Sequence, residues 1–179
     1  MTRVEDRPRR VNVKGGSGSG KSTLARELAR RLELPYVELD ALNHLPNWTE
    51  ATPEQLRAAV RERIASAPDG WVIDGNYESK LGDLVIHQAD TIVWLDFPLR
   101  LKLRRLWPRT LHRIRHSVEL WGGNRESWRG AFFGWESLFP WMIRTHFRHR
   151  REWQRRFAGD PRLVRLRSAR EARDWLERQ

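Results

Sequence analysis

Residues 15 to 22 read G-G-S-G-S-G-K-S, and no other stretch restricts the fold of this chain as much. Four glycines in eight positions leave the segment almost no side chains to pack. The residues before it, RRVNVK (9 to 14), form a β-type run, and those from Lys21 to Leu32 form an amphipathic helix. A strand must therefore pass through a tight glycine turn straight into a helix. Glycine tolerates positive φ, so successive backbone N–H groups of such a turn can aim at one centre, where the helix N-terminus adds its dipole. The spacing satisfies G-x-x-x-x-G-K-[ST], which arises by chance in about one or two chains per thousand of this composition.

The chemistry that needs this arrangement is polyphosphate binding. The backbone of Gly15, Gly16, Ser17, Gly18, Ser19 and Gly20 is expected to cradle the phosphates of ATP. Lys21 then reaches the β/γ-phosphates, the Ser22 hydroxyl completes a Mg²⁺ shell, and Thr23 stands on the α-phosphate side. The competing interpretation, a flexible Gly/Ser linker ending in Lys-Ser, fits neither the flanking strand and helix signals nor the scarcity of lysine, which supplies 4 of the 34 basic residues.

The rest of the chain alternates short β-rich runs with helical stretches, the α/β pattern. Further runs are PYVEL (35 to 39), WVID (71 to 74), TIVWLD (91 to 96) and RLVRL (162 to 166). Helices are expected over 53 to 66, where Thr52 is the N-cap and Pro53 the first helical residue, over about 98 to 115, twice more before Phe157, and from the capping box at Ser168 onward. In open α/β sheets the chemistry collects at the carboxyl ends of strands. Three aspartates end β-type runs. Asp74 precedes Gly75 and suits the Mg²⁺ side, Asp40 suits an acceptor, and Asp96, followed by Phe97 and Pro98, suits a structural role.

Composition limits the alternatives. Leu, Ile, Val and Phe number 43 of 179 residues, enough for one folded domain over 9–179, with 1–8 as a disordered tail. The absence of cysteine excludes disulfide scaffolds, Fe–S clusters and thiol nucleophiles. No apolar run reaches the roughly 18 residues a membrane span needs, and the first ten residues have no apolar core of a leader, so a cytoplasmic protein with no membrane partner is expected. The formal charge of +11 lies entirely in residues 99–156, with 15 Lys and Arg against 4 Asp and Glu, while the remainder is balanced at 19 against 19.

At this point the segments GGSGSGKSTLARELARRL, ELDALNHLPNW, WVIDGNY, ADTIVWLDFP, the Arg-Thr at 109 and 110, ELWGGNRE and RLRSAREARDWL together resemble the adenylate-kinase-like P-loop proteins of the topology modulation group. The resemblance implies a three-layer α/β sandwich on a five-stranded parallel sheet in the order 2-3-1-4-5, with an Arg-rich helical lid after the fourth strand. It implies an ATP·Mg²⁺-dependent kinase, with Asp74 as the Mg²⁺-side carboxylate and Asp40 facing the acceptor. Arg104 corresponds to the lid-proximal arginine packing on the base and Arg109 lies near the next phosphate-facing one. Arg167 and Ser168 correspond to the loop that wraps adenine. Where such kinases carry an arginine for the acceptor phosphate, Asn76, Tyr77 and Glu78 stand here, with Lys80 as a replacement charge.

Within the basic insert, Gly122, Gly123, Gly130 and Gly134 are expected to break the helix into several, forming a hinged cover whose arginines close on phosphate. Arg125, set between Glu119, Asn124 and Glu126 at a Gly-Gly turn, is a candidate substrate contact. The other basic residues are solvated faces or a surface for nucleic acid; tryptophans such as Trp135 and Trp141 are expected to pack. His112 and His116 have metal-ligand spacing but no third ligand. The expected function is phosphoryl transfer from ATP to a small acceptor, with nucleotide-gated nucleic-acid binding as the alternative.

Overall fold

The computed structural model describes residues 7–133 and 137–179, so the expectations placed on Gly134 and Trp135, and most of the tail, lie outside the described residues. Five strands, β1 (Arg10–Gly15), β2 (Tyr36–Glu38), β3 (Trp71–Asp74), β4 (Thr91–Leu95) and β5 (Leu163–Leu166), form one parallel sheet in the order β2-β3-β1-β4-β5. The expected order is therefore observed. The central β1 pairs Val13 with Asp74 of β3 and Gly15 with Leu95 of β4, which brings the glycine turn and the aspartate to one edge of the sheet.

Side chains alternate across the strands, and the two faces are covered separately. Val11, Val13, Val72, Val93 and Leu95 point to α1 (Lys21–Leu32) and α8 (Ala169–Glu177), where Leu24, Leu28 and Trp175 complete the layer. Trp71, Ile73, Ile92 and Trp94 point the other way, onto Leu56 and Val60 of α3 (Pro53–Ala65), Leu81 of α4 (Glu78–Leu81) and Trp153 of α7 (Leu138–Arg156). α3 starts as its sequence requires. The Thr52 hydroxyl accepts from Gln55 N at 3.2 Å while the Gln55 side chain accepts from Thr52 N at 2.9 Å. A short helix, α2 (Leu39–Asn43), follows β2 directly.

The basic segment forms α5 (Leu99–Arg115), which contains Pro108, then a 3₁₀ turn at Trp121–Gly123, α6 (Trp128–Phe132) and α7. Gly122 and Gly123 make the break expected of them, at φ 63° and 75°, whereas Gly130 lies inside α6. The insert has its own small core of Leu106, Phe139 and Met142, flanked by Leu99, Leu103 and Phe132. That core is too narrow to enclose its indoles. Trp107, Trp128 and Trp141 remain exposed, the first two making ring contacts to Phe132, and among the described indoles of the insert only Trp153 packs into the main core. Among the described residues, no helix is long and apolar enough to cross a membrane.

Leu28 is fully buried against the sheet. Leu28→Ala should cost about 2–5 kcal/mol and Thr52→Ala about 1 kcal/mol in urea unfolding, because the first opens a cavity and the second removes one cap. Equal small losses would show that α1 is not the covering layer described.

Candidate phosphate-binding and transfer site

The glycine turn is held from three sides. Within it, Ser19 N donates to Gly16 O at 3.0 Å, and Gly18 and Gly20 take φ of 76° and 87°. From the segment just after β3, the Asn76 amide donates to Gly15 O at 2.8 Å and accepts from Gly15 N at 3.3 Å. Across the top lies α5. A β-carbon on Gly18 would stand 2.5 Å from the carbonyl oxygen of Lys102, so glycine is required by space as well as by φ. Arg105 Nη1 donates to Ser19 O at 3.1 Å, and its guanidinium sits 5.4 Å over the Phe97 ring. The residue against the loop is thus Arg105. Arg104, about 100° round the helix, is exposed with no polar partner among the described residues.

Two carboxylates converge on the start of α1. Lys21 Nζ donates to Asp40 Oδ2 at 3.4 Å, while Tyr77 OH donates to Asp40 Oδ1 at 2.7 Å and lies 3.4 Å from His44 Nε2. Burial, with Asp40 alongside, pushes the Tyr77 hydroxyl well above the usual phenol range, so it is a fixed donor. Asp74 is buried; its Oδ1 accepts from Tyr36 OH at 3.2 Å, Ser22 lies beside it, and its Oδ2 has no partner. Burial raises its carboxyl to about 6 against the opposing pull of Lys21 and Ser22, with Glu38 and Asp40 adding to the rise. Thr23 follows in the first turn of α1.

The insert closes the far side of this cleft. Arg109 lies within electrostatic range of Asp40, Arg113 and Glu126; partial desolvation and Arg113 lower its pKa from the ordinary arginine value. Arg113 Nη1 donates to Glu126 at 2.9 Å. Asn124, buried, ties the insert to the chain after α2: its Nδ2 donates to Leu45 O at 2.8 Å and Trp121 O at 2.7 Å, and its Oδ1 accepts from Trp48 N at 2.7 Å. His44 stacks on Trp121 with centroids 5.5 Å apart, and a β-carbon on Gly122 would stand 2.8 Å from Leu45 C. Arg125 points away from the cleft residues toward exposed Glu119, 4.0 Å distant, while its carbonyl accepts from Trp48 Nε1 at 3.2 Å.

The three residues standing where an acceptor-phosphate arginine is expected all have local work. Asn76 clamps Gly15, Tyr77 orients Asp40, and Glu78 pairs with Lys14, a lysine buried beneath the turn in β1. Burial lowers the Lys14 pKa and Glu78 opposes that shift. Lys80 has no donor to spare, since its Nζ donates to Asn43 Oδ1 and Glu50 Oε2 at 2.7 Å and to Ala51 O at 2.9 Å. Asp96 is structural in kind, bridging Arg150 and Arg165. Ser168 caps α8 by accepting from Glu171 N at 3.1 Å, and Arg167 beside it is exposed. His112 and His116 contact each other at 4.4 Å, and among the described residues no group of three potential ligands forms.

Asp40 does not end a strand as expected but lies in the first turn of α2, because β2 stops at Glu38. Taken together, a glycine cradle, a lysine, Asp74 at the end of β3, Asp40 of α2 and two arginines of α5 lie around one cleft, an arrangement suited to holding and transferring a phosphoryl group. Residues 11–74 match the profile of the ATPase family associated with various cellular activities (AAA). No curated protein matches the chain significantly. Among solved structures, a gluconokinase from Sinorhizobium meliloti 1021 aligns with TM-score 0.55 and 22 % identity over 96 % of this chain and 93 % of its own. The shikimate kinase of Acinetobacter baumannii in complex with shikimate aligns with TM-score 0.56 and 17 % identity over 95 % and 89 %. A sugar kinase from Janibacter sp. HTCC2649 gives TM-score 0.55 and 20 % identity over 96 % and 92 %. At these identities the likeness is one of fold, and the fold is that of the P-loop kinases.

Proposed function

We propose that the chain is an ATP·Mg²⁺-dependent phosphotransferase, adenylate-kinase-like in its plan, acting on a hydroxyl of a small acceptor. The observation that carries this reading is the placement of Lys21 at 3.4 Å from Asp40 with Asp74 and Ser22 beside them, all under a glycine cradle. The Gly15–Gly20 backbone and Lys21 bind the β/γ-phosphates; Asp40, held by Tyr77, orients the acceptor hydroxyl and takes its proton. Arg105 and Arg109 offset charge developing on the transferred group. Lys80 is saturated and Lys14 is paired with Glu78, so neither lysine is free for an acceptor phosphate, which favours a hydroxyl acceptor over a nucleoside monophosphate. The kinase titles of the structural neighbours, one bound to shikimate, support the same class.

Mg²⁺ fits the residues present, because Asp74 Oδ2 is buried without a partner next to Ser22. These two would hold it, and it would neutralise charge on the phosphates. A second reading, nucleotide-gated nucleic-acid binding, draws on the exposed Trp107 and Trp128 of the basic insert, indoles that could stack on bases.

The Asp74 carboxyl binds its proton more tightly in the folded chain, at about 6, than the ordinary value near 3.9. Its ionisation therefore costs stability at pH 7, and that cost fades as pH falls through 6 toward 4. Asp74→Asn should raise stability at pH 7 by about 1–3 kcal/mol and leave it unchanged near pH 4, in urea titrations at both values, while weakening Mg²⁺-dependent nucleotide binding. A loss of the same size at both pH values would contradict the burial argument.

ADP formation should be stimulated by one small hydroxylated acceptor in a panel of sugar acids, nucleosides and nucleoside monophosphates. Lys21→Ala should abolish it with an unchanged melting curve. Arg105→Gln should lower it by about 10- to 10³-fold and Arg104→Gln by less than about threefold. Normal turnover by Lys21→Ala would sink the proposal; stimulation by nucleic acid alone, steeply dependent on salt, would favour the second reading.

A further inference from the structure

Beside the phosphate cradle, between the start of the glycine turn and α7, lies a small pocket open to solvent. Gly16, Ser17 and Asn76 form one wall, but Lys21, Asp40 and Asp74 take no part in its lining. Trp94, Trp141, Trp153 and His149 give it flat apolar sides, with His149 stacked on Trp153 at 5.7 Å. At the base is Lys102, 6 % exposed, whose Nζ donates to His146 Nδ1 at 3.1 Å and lies so close to Gly16 that a β-carbon there would be 3.1 Å away.

A buried ammonium normally has a carboxylate partner. Lys102 has none within ion-pair distance among the described residues. The nearby carboxylate, Asp96, is already shared by Arg165 at 2.5 Å and Arg150 at 3.0 Å. Three cations thus share one anion, with His146 against Lys102. Burial lowers the Lys102 pKa to about 8 and Asp96 only partly opposes it, so charge on this lysine is left uncompensated by the protein. The phosphoryl-transfer reading uses none of these groups.

We infer that this pocket is a binding site for a small organic anion, a carboxylate or phosphate monoester carrying a flat ring, whose charge pairs with Lys102 and Arg150 while its ring lies among the indoles. The inference goes beyond the phosphotransferase reading and does not depend on it. It assigns Trp141 a ligand-facing role that its partial exposure permits.

Titration calorimetry on the full chain tests it, with ADP·Mg²⁺ present to occupy the phosphate cradle and its own binding measured first. The probes are benzoate, phenyl phosphate, inorganic phosphate and benzyl alcohol. Benzoate and phenyl phosphate should bind saturably at one site, inorganic phosphate more weakly, and benzyl alcohol at least tenfold more weakly than benzoate. Lys102→Met should weaken benzoate at least tenfold and Arg150→Gln about threefold, whereas Lys21→Ala should leave it unchanged. If Lys102→Met does not fold, Arg150→Gln, at a half-exposed position, carries the test. Equal binding of benzoate and benzyl alcohol, benzoate affinity insensitive to the folded variants, or no probe binding below about 10 mM would each overturn the assignment. Failure of ADP·Mg²⁺ to bind would count against the phosphotransferase reading alone, and the benzoate titration would then be read without nucleotide.

Discussion

The backbone of α5 rests on the glycine turn with no room for a β-carbon between them, and much of the site depends on that contact. A helix seated there presents one row of side chains, at intervals of three and four residues, along the mouth of the cradle: Lys102, Arg105, Arg109 and Arg113. Each meets a different neighbour: Lys102 meets His146, Arg105 the Ser19 carbonyl, Arg109 the field of Asp40, and Arg113 the Glu126 carboxylate. The small core of Leu106, Phe139 and Met142 ties the same helix to α7. A shift of α5 would consequently move cradle, arginines and pocket together.

The second organising contact joins the insert to the segment after β2. Asn124 uses both amide donors and its carbonyl oxygen on Leu45, Trp121 and Trp48, while Gly122 allows the two turns to touch and His44 stacks on Trp121 and meets Trp48 edge-on. Because His44 also meets Tyr77, which holds Asp40, the closing contact and the candidate base are linked through three side chains. Under the proposed function, a cleft closed in this way would keep water from the phosphoryl group, which otherwise competes with any acceptor.

Much of this was legible in the chain itself. The five β-type runs, the boundaries of α1 and α3, the cap at Ser168 and the strand order implied by the resemblance all appear in the fold, because local spacing, caps and the glycine turn determine them. The cradle and the aspartates at 40 and 74 could be picked out for the same reason. Which arginine of α5 touches the loop could not, since Arg104 and Arg105 differ only by the rotation of a helix whose seating is set by distant packing. The Asn124 latch joins residues 76 and 79 positions apart, and the three acceptors that occupy Lys80 lie 29 to 37 positions away; no local pattern marks such pairings. The exposed Trp107 and Trp128 were likewise unreadable, because an indole's enclosure depends on how wide the surrounding core turns out to be.

The chain uses arginine for nearly all of its positive surface charge and keeps its four lysines inside: Lys14 beneath the turn, Lys21 in it, Lys80 among three acceptors and Lys102 at the pocket floor, none with a side chain more than about a fifth exposed. Guanidinium groups do not acylate under the mild conditions that modify amines. An amine-directed reagent therefore meets no solvated lysine decoys on the described surface, and the chain's primary amines, apart from any at its terminus, report on the site itself. Covalent footprinting with and without nucleotide would read occupancy of the cleft against almost no background.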